Sequence, residues 1–170
     1  MALDGKAPTL VADENVRAVA WSSDGRELFF AVKAEAEKAG EIRSRLVLSP
    51  SGQLQPEPAE AETLAVFACL SEAPPKLAAL PDGRLLFASL AVNLPARPAG
   101  LSPVSKFFLL EPQAPEAAPE PVTIKGNALP DDLGSFALSP DGRFVAVVEG
   151  GSDSVAVVEL ATGKVEVVSP

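Results

Sequence analysis

The sequence has no histidine and no tyrosine, and only one cysteine and one tryptophan in 170 residues. Without histidine there is no Ser-His-Asp triad, no Cys-His pair and no imidazole-bound metal, which removes the commonest ways of activating a nucleophile or a water near neutral pH. The lone Cys69 cannot form an internal disulfide, and its setting in "AVFACLS" reads as a small buried hydrophobe. Cations are outnumbered: 14 Lys and Arg face 23 Asp and Glu, a net charge of −9, which repels a phosphate backbone and argues against nucleic acid as a partner. Long apolar runs are missing too. The longest are pieces such as "LAVFACL" and "FVAVV", well short of the roughly 18 residues of a membrane-spanning helix, so no membrane insertion is expected. The opening "MALDGKAPTLVADENV" lacks the basic start and apolar stretch of a secretion signal. The expectation is a cytoplasmic protein, unless a signal lies outside this sequence.

What is present supports a core. Hydrophobic residues make up 47% of the chain, enough to bury one in a domain of this length. The informative feature is a repeat: "AWSSDGRELFFAV", "AALPDGRLLFASL" and "ALSPDGRFVAVVE" place Asp24, Asp82 and Asp141 at intervals of 58 and 59 residues. In each copy Asp-Gly-Arg lies between two apolar segments. Asp-Gly suits a tight hairpin because glycine accepts positive φ and the carboxylate can bond nearby amides. Pro81 and Pro140 end the incoming strand in two copies. The near-continuous apolar runs after each turn predict strands covered on both faces, hence central strands. A looser second hairpin follows, turning at Ser51-Gly52 in the first unit and near Thr162-Gly163 in the last. In the middle unit "KFFLLEP" runs into a Pro-Glu stretch before "VTI" resumes a strand.

Four antiparallel strands at this period predict an all-β, β-propeller-like array of about three blades. The expected blades are 13 to 62, 63 to 124 and 134 to 170 of a single partial domain, 1 to 170, with residues 1 to 12 forming an outer strand of another blade. The segment "ETLAVFACLSE" nonetheless alternates as the outer strand of the first blade would. Segments 33 to 43, 50 to 62, 92 to 105 and 111 to 121 read as long loops, extended by proline or made soluble by charge.

The motifs "WSSDGRELFFAV" and "LSPDGRFVAVV" resemble the repeats of TolB-like and WD-type β-propellers, and "VAVVELATGKVEVV" is similar to the second hairpin of such a blade. The middle copy departs from the pattern, with Ala79 for the aromatic and Leu80 for the serine. The resemblance implies a fold and no particular activity. A TolB-like relationship would imply protein-protein contact and a periplasmic or extracellular setting. Three blades do not close a ring of four to eight. The expectation is therefore either a piece of a longer protein or half of a six-bladed ring completed by a second copy, residues 7 to 12 adding a strand across the join.

Asp24, Gly25, Asp82, Gly83, Asp141 and Gly142 are read as structural turn residues. Asp131, Asp132, Glu149 and Asp153 offer oxygen ligands but match no calcium-loop spacing, so no metal site and no cofactor are expected. Ser105 and Ser152 lack a base and a G-x-S-x-G turn, so no catalytic residue is assigned. Trp21, Asp132 and Asp153 are candidates for a ligand surface, although Trp21 is better placed to pack between blades. The function this supports is a non-catalytic binding module presenting loops to protein or peptide ligands. The alternatives are the propeller portion of a larger prolyl-peptidase-like hydrolase, gating its substrate, or a self-associating half-ring.

Overall fold

A computed structural model describes residues 15–33, 39–46, 53, 60–68, 76–90, 105–114, 117–125, 133–149 and 154–168. They form three four-stranded antiparallel sheets, each built from a consecutive stretch of chain. The first contains β1 (Val16–Trp21), β2 (Glu27–Lys33), β3 (Ala39–Leu46) and β4 (Glu62–Ala68). The second contains β5 (Lys76–Ala79), β6 (Leu85–Leu90), β7 (Ser105–Leu110) and β8 (Glu120–Pro121). The third contains β9 (Leu133–Leu138), β10 (Phe144–Glu149), β11 (Val155–Glu159) and β12 (Val165–Val168).

The repeated turns make the first hairpin of each sheet. Gly25, Gly83 and Gly142 have φ of 70°, 94° and 69°, a region that residues with a Cβ rarely adopt. The turns differ in length. Ser22 N–H donates to the Glu27 carbonyl and Ser139 N–H to the Phe144 carbonyl, but Leu80 N–H donates to the Arg84 carbonyl, one residue sooner. Trp21 therefore faces Leu28, and Leu138 faces Val145, while Ala79 faces Leu85. The equivalent of Leu28 and Val145 is Leu85, which lies one place nearer its aspartate.

Once that shift is allowed for, the packing repeats. Leu85 and Phe87 of β6 turn toward the first sheet, where they meet Phe29, Ala31, Leu64 and Phe67. Leu86 and Ala88, on the opposite face, turn with Phe107 toward Val145, Val147 and Val158 of the third sheet. The strand is buried on both faces because it is apolar at every step. Aromatic rings thread both junctions: Phe87 lies 5.7 Å from Phe67 and 5.4 Å from Phe108, and Phe107 meets Phe136 edge-on at 5.4 Å.

Several expectations are corrected. The first sheet runs past the predicted boundary at 62, because Glu62–Ala68 pairs with β3, as the alternation in that segment suggests. Residues 39 to 43, read as loop, belong to β3, whose register against β2 runs from Lys33↔Gly40 to Glu27↔Leu46. The Pro-Glu stretch is not all loop either. Glu120–Pro121 pairs with Leu109 and Phe108, and Val122 N–H extends the pairing to the Phe107 carbonyl at 2.9 Å. Each sheet already holds four strands of its own. The sequence assigns residues 1 to 12 to an outer strand of another blade. Those residues, the Ser51-Gly52 turn and Cys69 lie outside the described residues.

Candidate functional site

The inner strands β1, β5 and β9 run side by side and border an open groove of about 360 Å³. Each contributes three consecutive residues: Arg17, Ala18 and Val19 from β1; Lys76, Leu77 and Ala78 from β5; Ser135, Phe136 and Ala137 from β9. Apolar and small side chains make up most of the wall, and among the described residues the charges on it are cationic. Arg17 is exposed and Lys76 is half-buried. In a chain of net charge −9 this is a local reversal of sign. Such a groove can seat an extended segment through apolar contact and attract a carboxylate through its cationic lining.

The three repeated aspartates do not face this groove with free carboxylates. Asp24 accepts a 2.6 Å bond from Ser22 Oγ and a 3.0 Å bond from Arg26 N–H. Asp141 is held the same way, by Ser139 Oγ at 2.6 Å and Arg143 N–H at 3.1 Å. The serine hydroxyls also accept from the main chain, Ser22 from Glu27 N–H and Ser139 from Phe144 N–H, both at 2.9 Å. The middle turn has Leu80 in the serine position, and there Arg84 folds back instead. Its Nε reaches Asp82 Oδ2 at 2.9 Å and its Nη2 the same oxygen at 2.7 Å. These bonds hold all three carboxyls below the ordinary carboxylate range, with the Ser22, Arg84 and Ser139 side-chain bonds as the leading causes. Each carboxylate braces its own turn.

Trp21, the last residue of β1, is not packed between sheets but 52% exposed on the open side of the first sheet. The reason is positional: its equivalents Ala79 and Leu138 face a preceding sheet, and the described residues place none before the first. Asp131, Asp132, Ser152 and Asp153 lie outside the described residues. Arg17 and Lys76 were not singled out from the sequence. The available signal was a charged side chain in an otherwise apolar inner strand, just upstream of each of the first two turns.

No family model and no curated protein matches the chain. Solved structures do. A hydrazine synthase from Kuenenia stuttgartiensis superposes with a TM-score of 0.53 at 17% identity, over 84% of this chain and 39% of its own. The WD40 domain of a coronin from Toxoplasma gondii gives 0.50 at 16% identity, over 92% of this chain and 35% of its own. The fold is a partial β-propeller. TolB from Acinetobacter baumannii also matches, at a TM-score of 0.45 and 18% identity, over 99% of this chain and 47% of its own. The chain spans less than half the length of each of these chains, and at such identities the likeness concerns the fold alone.

Proposed function

We propose that this partial propeller is a non-catalytic binding module that takes a protein or peptide segment along the groove between its inner strands. Arg17 and Lys76 favour a segment carrying carboxylates. The observation behind this reading is the cationic lining of that groove in an otherwise acidic chain. The non-catalytic part rests on the missing histidine and on carboxylates already bonded within their turns.

Fluorescence anisotropy of labelled peptides tests it. An extended peptide mixing apolar residues with Asp and Glu should bind, and binding should weaken as salt is raised. The same peptide with Asn and Gln in place of the acids should bind about tenfold less tightly, a difference of ~1.4 kcal/mol. Arg17→Glu should produce a loss of similar size for the acidic peptide only. Equal affinity for both peptides, or an unchanged Arg17→Glu variant, would refute the reading.

A further inference from the structure

Three successive residues from each of β1, β5 and β9 border the groove. Side chains alternate across a strand, so a run of three can border one groove only where the strand turns its edge toward it. The topology agrees. β1, β5 and β9 stand first in their sheets and are bonded on one side only, to β2, β6 and β10. Their other edges carry main-chain groups that no strand among the described residues meets.

The register says which groups these are. Leu80 N–H donates to the Arg84 carbonyl, and behind it Ala79 faces Leu85, Ala78 faces Leu86 and Leu77 faces Phe87. In an antiparallel pair, residues that bond across to the partner alternate with residues whose N–H and C=O point away from it. Leu80, Ala78 and Lys76 are therefore of the first kind, and Leu77 turns both groups to the groove. The same count from Ser22 and from Ser139 gives Val19 in β1 and Phe136 in β9. All three occupy the same step of the repeat, and among the described residues none has a main-chain partner on the groove side. Open donors and acceptors along a strand edge are a template for another strand.

β5 touches both of the other inner strands. A segment added to its edge sends its side chains alternately toward β1, with Arg17 and Val19, and toward β9, with Ser135 and Phe136. A segment on β1 or on β9 would have an inner strand on one side only.

We infer that the acidic and apolar segment proposed for this groove binds as an added strand on the inner edge of β5, with Leu77 exchanging main-chain hydrogen bonds with it. This rests on the binding reading above and adds to it the mode of recognition. The ligand is held through its main chain and selected by what its alternate residues meet on the two walls. A helical segment, whose N–H groups are bonded internally, could not make these bonds.

The probe is a fluorescein-labelled, end-blocked Val-Asp-Val-Glu-Val-Asp hexapeptide, compared with two versions methylated on the amide nitrogens of either its odd or its even residues. Methylation removes a donor and puts bulk on the edge. In an added strand one set of amides faces β5 and the other faces away, so one version should lose about tenfold or more in affinity and the other should stay within about threefold of the parent. Amide hydrogen exchange followed by NMR gives the second reading: on adding the unmodified peptide Leu77 N–H should gain protection, and Val19 and Phe136 N–H should not. Protection gained at Val19 or Phe136 instead would overturn the choice of β5. Equal affinities for the two methylated versions, with the parent bound, would overturn the added strand and leave the binding reading intact. No binding of the parent peptide would remove that reading and this inference with it.

Discussion

The α-carbon of Gly163 lies against the main-chain carbonyl of Thr123, so that a Cβ built on it would fall on that oxygen and within 3.3 Å of the Ile124 α-carbon. Gly163 also has a φ of 70°, where a side chain is disfavoured by about 1–2 kcal/mol. Gly163→Ala meets both penalties and should lower stability by more than about 2 kcal/mol. Gly83→Ala, with φ of 94° and open space around it, meets only the first. Denaturant unfolding of the two variants should show Gly163→Ala as the costlier. Equal losses would mean that the second and third sheets are not in backbone contact there.

Removing a turn hydroxyl should be felt at both ends of its hydrogen bonds. Ser139→Ala takes a donor from Asp141 and an acceptor from Phe144 N–H, at a net cost of about 1 kcal/mol. Ser22→Ala should cost a similar amount through Asp24 and Glu27 N–H. Thermal denaturation measures both, and a loss within ~0.3 kcal/mol of zero would show that water replaces the hydroxyl freely.

Stability should fall on acidification. Asp24, Asp82 and Asp141 each have a depressed pKa in the folded chain, so their contribution is fully present above the unfolded value of about 3.9 and is lost as pH falls through the lower folded values. The melting temperature should be insensitive to these groups near neutrality and should decline below about pH 4. In the triple variant Asp24→Asn, Asp82→Asn, Asp141→Asn that decline should be shallower. An unchanged acid slope would assign it to other carboxylates.

Phe107 is 1% exposed and faces both Phe136 and the valines of β10. Phe107→Ala should cost about 3–5 kcal/mol by leaving a cavity at the centre of the second junction. Val66→Ala, at a site 64% exposed, should stay within ~0.5 kcal/mol of the wild type. Urea unfolding at low protein concentration makes the comparison.

The first hairpin of every sheet was legible because its signals are local. Asp-Gly demands a turn, and the apolar runs at Leu28, Leu85 and Val145 demand burial. Glu120–Pro121 was not legible, since a two-residue strand has no periodicity and proline argues against one. It forms because β7 needs a partner along its outer edge. The open position of Trp21 was hidden as well. Its neighbours in sequence are those of a packed residue, and only the order of the sheets leaves it uncovered. Arg17 and Lys76 were hidden for a third reason: the groove they line arises from strands far apart in sequence, and a single charge in each strand is no pattern.

The main chain joins the sheets unequally. Lys125 N–H donates to the Gly163 carbonyl at 2.7 Å, and Lys125 pairs in parallel with Lys164, so the tail of the second sheet is bonded to the outer hairpin of the third. Among the described residues the first and second sheets share side-chain packing and no main-chain bond of this kind. In deuterium exchange the second and third sheets should accordingly lose protection together as one cooperative unit, with the first opening at lower free energy. Three repeats of similar sequence should thus open as a pair and a single, with solvent entering first at the seam between β2 and β6.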